Sequence, residues 1–317
     1  MTDPQAVATA NAATPLVDAG APGAPTTLDK PRSLASDAWH DLRRRPLFIV
    51  SAVLITALLV IAAFPQLFTS VDPSVGDLSK ARDAPSPDAI FGYDALGRDV
   101  FARAIYGARV SIVVGVLATV LTILIGGSLG LVAGFYGGRA DSVLSRFADI
   151  FFGLPFVLGA IVILSTFRDV VGGDPVGITS IVIVSMAALG WPVTMRIMRS
   201  AAIAARNQDY VRAARGLGAS PMRLIVRHML PNCAAPVLVY ATIALGAYIG
   251  AEATLSYLGI GLRDPVVSWG VMISEAQTSL RVAPTLLVFP GAFLVVTVLA
   301  FVMLGDAVRD AFDPKGR

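Results

Sequence analysis

Few side chains in this sequence are of the kinds that catalyse reactions or bind metal ions. The two histidines, His40 and His228, lie in different segments, and the one cysteine, Cys233, lies in an apolar run. A metal site needs several such ligands close together, and an intrachain disulfide needs a second cysteine. We therefore expect neither a metal cluster nor an intrachain disulfide, and we expect Cys233 to be a small buried residue.

The chemistry that the sequence does offer is recognition, in the arginine-rich residues 210–231, YVRAARGLGASPMRLIVRHMLP, which we call the loop module. A short helix is predicted there from an apolar face at helical spacing, made of Tyr210, Ala213, Ala214 and Leu217. Gly218 suits a left-handed turn that ends this helix, and Ser220 with Pro221 suits the capped start of a second one. The turn is then Gly218, Ala219 and Ser220, and Pro231 is expected to end the second helix.

Periodicity alone leaves two interpretations of the loop module. The helix pair could lie on the membrane surface, with Arg212 and Arg215 toward anionic headgroups. It could instead be a binding surface for a soluble partner protein, because a helix face with two adjacent alanines is narrow and allows another protein to approach closely. Nucleic acid is not an expected partner in either case.

The elements that position this module are predicted to be membrane helices. Hydrophobic residues make up 55% of the 317 residues and charged residues only 15%, whereas about a quarter of an ordinary soluble protein is charged. A bilayer span needs about 20 mostly apolar residues. Six uncharged runs fit or nearly fit, at 47–71, 110–138, 150–167, 175–195, 229–251 and 282–305. The fold class is therefore all-α with six transmembrane helices, and we expect the third span to accommodate Pro155.

The distribution of lysine and arginine predicts the orientation of these spans. With the amino terminus inside, 17 basic residues fall on the cytoplasmic side and 8 on the outer side. This asymmetry follows the positive-inside rule and places both termini in the cytoplasm. Residues 1–37, rich in alanine and proline, are expected to form a disordered tail. The membrane domain at 38–314 then contains external segments at 69–109 and 256–281 and a cytoplasmic segment at 196–232, and residues 315–317 are a cytoplasmic terminus.

Polar and small residues near the spans are expected to be mainly structural. Asp99 is predicted to cap the helix that enters the second span. Glu252 is expected to be solvated at the interface, or to cap the next turn, in preference to coordinating a solute. Arg98 and Arg103 could meet an external partner or headgroups. Within the second span, glycines at four-residue spacing predict close helix packing: Gly126, Gly130 and Gly134.

The loop module resembles the cytoplasmic coupling motif of bacterial ABC importer permeases. That motif reads Glu-Ala-Ala, three residues, Gly, and a downstream Leu-Pro. The residues that match it are, in order, Ala213, Ala214, Gly218, Leu230 and Pro231. Arg212 stands where the motif has glutamate, which reverses the charge but leaves the helix-turn-helix pattern intact.

Two further stretches resemble one branch of this family. FGYDALGRDVFARAIYGARVSIVVG, at residues 91–115, is similar to the segment before the second span of dipeptide and oligopeptide permeases of the C type. EATLSYLGIGLRDPVVSWGVMI, at 252–273, is similar to the external segment after their fifth span. The resemblance extends over about residues 38–314 and does not include the tail.

The resemblance implies a non-catalytic subunit of an ATP-driven importer in a bacterial cytoplasmic membrane, with no cofactor bound by this chain itself. Its implied partners are a homologous second permease subunit, two cytoplasmic ATP-binding subunits, which carry the ATP and Mg²⁺, and an extracytoplasmic peptide-binding protein. The sequence has no G-x-x-x-x-G-K-[ST] phosphate loop of its own. The implied contacts with the ATPase are Tyr210, Arg212, Ala213, Ala214, Arg215, Leu217, Gly218, Ala219 and Ser220.

The expected cargo is a di- or oligopeptide, although relatives of this architecture carry nickel chelates, glutathione or haem. The spans offer an apolar wall with small polar groups that could line a path: Ser128, Ser165, Thr194 and Thr242. The alternative from another class is an ion-coupled carrier or a channel. Carriers place ionisable groups near the bilayer midplane, and the middles of the six runs have none, which favours an ATP-powered complex.

Overall fold

The computed structural model describes residues 42–312, and the predicted tail at 1–37 and terminus at 315–317 lie outside this range. Apart from isolated β-bridges in the external segment, regular structure in these residues is helical. The helices are α1 (Pro46–Ala63), α2 (Val100–Tyr136), α3 (Gly138–Phe152), α4 (Phe156–Val171), α5 (Pro175–Arg206), α6 (Asp209–Gly216), α7 (Pro221–Tyr257), α8 (Trp269–Ala276) and α9 (Thr285–Phe312).

Within residues 42–312, five helices are long and apolar enough to cross a membrane: α1, α2, α5, α7 and α9. A sixth span is formed if α3 and α4, which meet at 88°, count as one. The all-α, six-span fold class is therefore confirmed.

The third span differs from the continuous helix that the sequence predicted. Its apolar run is broken between Phe152 and Phe156, and Pro155 precedes the first residue of α4. A proline lacks the N–H that a continuing helix needs, and it disfavours helical backbone at Leu154 before it. The neighbouring helices do not remove this break, so Pro155 marks a corner rather than a kink within a straight span.

The long helices extend beyond the predicted membrane runs, which shortens the predicted loops. The chain is already helical from Val100, inside the predicted external segment 69–109, and α5 continues to Arg206, inside the predicted cytoplasmic segment 196–232. Asp99 caps α2 as predicted, because its carboxylate accepts a hydrogen bond from the N–H of Ala102 at 2.8 Å. Charged residues at both ends therefore stand on helices instead of in loops.

Pro231 does not end the second helix of the loop module, contrary to the sequence prediction. The helix that begins at Pro221 continues through Pro231 to Tyr257. Residues Leu224–Met229 form a wide π-type turn just before the proline. Such turns absorb the hydrogen bond that a proline cannot make, so one helix joins the loop module directly to the membrane core.

The glycine face of α2 packs against α5 within the chain. Alanine-like Cβ atoms placed on Gly126 and Gly130 would each lie 2.3 Å from a main-chain carbonyl oxygen of α5. On Gly134 the same atom would lie 2.5 Å from the Cβ of Ala202. Only glycine permits this approach, which confirms the predicted packing role and makes α2 and α5 the most closely joined pair of helices.

Candidate functional site

The loop module is a short helix, α6, joined to α7 by a tight turn. The predicted helix and turn are both present, and Gly218 adopts φ +78°, a left-handed conformation that suits glycine. The N–H of Ala219 donates to the carbonyl of Ala214, and the N–H of Gly218 donates to that of Arg215. This pair of bonds is a Schellman motif, which closes the helix end. Ser220 makes no side-chain cap, so its predicted capping hydroxyl is wrong, although Pro221 does begin the next helix.

One buried apolar side chain anchors the loop module to the neighbouring membrane helices. Val211 is fully buried and belongs to an apolar cluster with residues of α2, α5 and α7, including Phe135, Met198 and Met229. Ala214 packs against the same cluster. Sequence periodicity missed Val211 because it was expected to lie off the apolar face.

The rest of the predicted apolar face is turned outward. Tyr210 and Ala213 are exposed, and Leu217 has 90% of its surface accessible. Among the described residues, Leu217 is the most exposed of the large hydrophobic side chains. We call Tyr210, Ala213 and Leu217 the exposed face of the loop module.

Arginines border the exposed face. Arg212 and Arg215 are exposed, and the nearest carboxylate to Arg212 is that of Asp209, at 3.8 Å in a loose surface pair. Such pairs contribute little to stability, so the guanidinium of Arg212 is free to meet another group. The exposed face is therefore apolar at its centre and positively charged at its edge.

Beside the loop module, ion pairs join α3 to α5. The guanidinium of Arg199 binds Asp141, with Nη2 2.6 Å from Oδ2, and Nη2 of Arg196 lies 2.7 Å from Oδ1 of Asp149. Helix α5, which packs against the glycine face of α2, is thus also tied to α3, the first half of the bent third span.

At the opposite end, Arg98 and Arg103 lie inside the protein and not at a headgroup surface. Arg98 donates to three carboxylates: Nε to Asp94 at 2.7 Å, Nη1 to Asp264 at 2.7 Å and Nη2 to Glu275 at 3.1 Å. Arg103 is bound to Asp94 and also to Glu275, the latter at 2.7 Å. These five residues form a charge cluster, in which Asp94, Arg98 and Arg103 are buried, Glu275 is half-buried and Asp264 is exposed. The cluster ties the segment before α2 to α8 and its preceding loop.

The charge cluster changes the acidity of its central carboxyl group. Burial raises the pKa of Asp94, but the backbone N–H of Arg98 and the charges of Arg103 and Arg98 lower it more, so the pKa falls below its ordinary value of 3.8. Asp94 is therefore held as a carboxylate at neutral pH.

Glu252 is fully buried, so the predicted interfacial solvation of this residue is wrong. Its Oε1 accepts hydrogen bonds from Ser256 at 2.8 Å and from Ser268 at 2.9 Å, and Ser111 lies 3.5 Å from its Oε2. Ser268 is also the residue that caps α8, through the N–H of Val271. Glu252 therefore fastens the start of α8 to α7.

The four predicted path residues stand on four different helices, α2, α4, α5 and α7. Ser128 and Ser165 are exposed, on α2 and α4, and Thr242 of α7 is half-buried. Thr194 is fully buried in the contact between α2 and α5, where a methyl group placed on Gly126 would lie 2.8 Å from the Cβ of Thr194. In this conformation Thr194 therefore lines no open path, because the glycine face fills the space in front of it.

Across residues 42–312, no group of three or more histidine, cysteine, aspartate or glutamate side chains could hold a metal ion. Cys233 is buried as predicted, in the apolar cluster beneath the loop module.

Known proteins are similar in sequence to most of this chain. Residues 126–317 match the family described as binding-protein-dependent transport system inner membrane component, and residues 33–85 match the N-terminal transmembrane domain of oligopeptide transport permease C. Part of each match lies outside the described residues.

Relatives of known assignment are similar over nearly their whole length. The oligopeptide transport system permease protein OppC of Bacillus subtilis is 39% identical, over 91% of this chain and 92% of its own. The dipeptide permease DppC of Alkalihalophilus pseudofirmus is 36% identical, over 88% and 89%. The glutathione permease GsiD of Escherichia coli O6:K15:H31 is 35% identical, over 90% and 92%.

A solved structure supports the fold. A chain of the MetNI methionine ABC transporter superposes with a TM-score of 0.54 at 22% identity, over 66% of this chain and 96% of that one. The family matches and the relatives above place this chain, a multi-pass membrane protein, in the family of binding-protein-dependent ABC importer permeases, on the OppC and DppC branch.

Proposed function

We propose that this chain is one of two membrane subunits of an ATP-driven importer of di- or oligopeptides. It performs no covalent chemistry, and ATP with Mg²⁺ is bound by two cytoplasmic partner subunits. An extracytoplasmic binding protein delivers the peptide, and a homologous permease subunit completes the path. Both termini and the loop module lie on the cytoplasmic side, in agreement with the excess of basic residues there.

The observation that carries this proposal is the exposed face of the loop module on a rigid support. Leu217 and Tyr210 are available to a partner, while Val211, on the same short helix, is fixed among α2, α5 and α7. A displacement of α6 by the ATPase subunits would therefore act on three membrane helices at once. That requires the ATPase to bind α6 differently in its open and closed states, because a ligand shifts an equilibrium only by its differential affinity.

Ala213, at the centre of the exposed face, allows a partner backbone to approach closely, and Arg212 offers it a positive charge. Because Arg212 replaces the glutamate of the family motif, we expect the facing ATPase surface to present a carboxylate or a neutral acceptor there. The other proposed contacts with the ATPase lie at the end of α6 and in the turn after it: Ala214, Arg215, Gly218, Ala219 and Ser220. The alternative, a module lying on the lipid surface, predicts no specific protein partner.

The peptide cargo is supported by the names of the relatives, which are oligopeptide, dipeptide and glutathione permeases. Glutathione is itself a tripeptide, so these three cargoes share a peptide backbone. A path that passes varied side chains needs an apolar wall with few fixed polar groups. Ser128, Ser165 and Thr242 stay candidates for that wall. The binding protein then mainly determines which peptides are transported.

The cargo can be tested by uptake of labelled peptides in a strain that lacks this chain and all redundant peptide systems. We expect di- or oligopeptide uptake only when the chain is restored. An exchange of the binding protein should change the peptide preference, and substitutions at Ser128, Ser165 and Thr242 should not. Unchanged peptide uptake without the chain, together with a growth defect on nickel or haem, would contradict the peptide assignment.

A further inference from the structure

Arg103 of α2 presents one edge of its guanidinium group without a protein partner. Its side chain is 1% exposed, and Nη1 binds Asp94 and Glu275. Among the described residues, Nε and Nη2 are buried and have no hydrogen-bond partner. These two nitrogens form the side-on edge of the guanidinium, whose parallel N–H groups bind acceptor oxygens well. Because a buried, unpaired donor costs free energy, this edge points to a ligand.

The space beside Arg103 is a cavity of about 280 Å³, large enough for part of a small molecule. Polar residues that line it include Ser274, Glu275 and Thr278 of α8 and the turn after it. Apolar residues also line it, and we call them the apolar wall: Leu96, Val100, Met272 and Leu286. The cavity can therefore hold a ligand that has a polar head and an apolar side group.

The charges around the cavity indicate the sign of that polar head. The charge cluster contains three carboxylates, on Asp94, Asp264 and Glu275, and two guanidiniums. A carboxylate ligand would add a fourth negative charge and be repelled by its neighbours, whereas an ammonium group would balance the total. Both ion pairs of Glu275 are made through Oε2, so its Oε1 is left for such a group.

We propose that this cavity receives the amino terminus of a peptide, a proposal that rests on the function inferred above. The α-ammonium group binds Glu275. The first carbonyl oxygen, which has two lone pairs, accepts from Nε and Nη2 of Arg103 once the side chain turns this edge, which is buried in the structure, toward the cavity. The first side chain lies against the apolar wall. The site recognises features that every unblocked peptide shares, at the end of the molecule that faces the binding protein.

Equilibrium dialysis of labelled trialanine tests this site. The protein is the purified importer in nanodiscs, with both permease subunits and both ATPase subunits, and the binding protein is withheld. We expect trialanine and its carboxyl-terminal amide to bind alike, and N-acetyl-trialanine to bind about tenfold or more weakly, because a buried hydrogen bond to a charged group is lost. Glu275→Gln should abolish this preference. Arg103→Lys keeps the positive charge but lacks the side-on edge, so this variant should bind trialanine more weakly by a similar factor.

The matched control is Asp88→Asn, which removes an exposed carboxylate of the external segment outside the cavity and should leave the preference intact. No saturable binding by the wild type, equal binding of the acetylated peptide, or an unchanged preference in Glu275→Gln would each overturn the site. ATP-driven uptake of trialanine, measured separately with the binding protein, distinguishes a failure of this site from a failure of the proposed peptide function. Uptake that persists while the preference is absent overturns this site alone, and absence of uptake overturns the peptide function.

Discussion

Gly130 of α2 and Met195 of α5 bring two helix backbones into direct contact. A Cβ atom on Gly130 would lie 2.3 Å from the carbonyl oxygen of Met195 and 2.9 Å from the Cβ of Met198. Since a backbone atom cannot move aside like the end of a flexible side chain, the helices would have to separate. The adjacent Gly127 differs, because the nearest atoms to its Cβ position are side-chain atoms at 3.6 Å or more.

We therefore expect Gly130→Val to destabilise the folded membrane domain by about 1–3 kcal/mol or more, as overpacking of a tight core does. Gly127→Ala, the matched control in the same helix, should be close to neutral. Thermal unfolding of the purified chain in detergent measures both effects. Equal melting temperatures for the two variants would mean that α2 and α5 are not held at this distance.

The sequence revealed the α2 surface because glycines at four-residue spacing leave a visible pattern. It did not reveal the partner surface, since α5 supplies main-chain carbonyls at Trp191 and Met195, and every residue type has these. The turn at Gly218 was predictable for a related reason: the left-handed conformation restricts the residue type locally.

The charge cluster could not be predicted, because its members are separated by up to about 180 residues along the chain. Asp94 and Glu275 share Arg98 and Arg103 as partners, but no local sequence pattern links the two positions. The burial of Glu252 was missed for the same reason. A carboxylate near a helix end is solvated in most sequences, and the three serines around it come from α2, α7 and the start of α8.

The exposed face of the loop module is predicted to bind the ATPase subunits. Leu217→Asp should leave folding unchanged, since this side chain is 90% exposed, but should greatly reduce co-purification of the ATPase and transport. Val75→Asp is the matched control, because Val75 is an exposed apolar residue of the external segment. Full co-purification and uptake in Leu217→Asp would contradict docking and favour a module that lies on lipid.

The turn at Gly218 is predicted to matter through its backbone conformation alone. A Cβ atom there would meet no atom within 4 Å, so Gly218→Val causes no clash with other elements. The cost is about 1–2 kcal/mol for a left-handed non-glycine residue, which is enough to displace α6 locally. We expect normal membrane insertion with impaired ATP-driven uptake. Insertion is read from membrane fractionation, and normal uptake would show that the turn need not hold this shape.

The topology is predicted to place the external segment and the loop module on opposite sides of the membrane. In a Cys233→Ser background, a cysteine introduced at Lys80 should react with an impermeant thiol reagent in whole cells. A cysteine introduced at Arg223 should react only after lysis. Both positions are exposed, so a difference between them reports sidedness. The reverse pattern would overturn the orientation and the role of the loop module.

The charge cluster predicts that the segment before α2 loosens in acid. The pKa of Asp94 is below its ordinary value in the folded protein, so its contribution to stability is complete above about pH 3.8 and is lost as the pH falls through the folded value. The protection of the amides at residues 76–98, taken as the measured exchange rate relative to the intrinsic rate at the same pH, should therefore decrease in acid. In Asp94→Asn this protection should already be lower at neutral pH and should respond less to acid. Identical profiles in both proteins would mean that Asp94 does not hold this segment.

The most direct test of the account is peptide uptake by the complete importer in proteoliposomes. With the binding protein outside the vesicle, on the side of the external segment, and ATP on the side of the loop module, we predict accumulation of labelled peptide. Uptake should be lost without ATP, without the binding protein, or with Leu217→Asp. Peptide uptake by this chain alone, driven by an ion gradient and indifferent to ATP, would contradict the account.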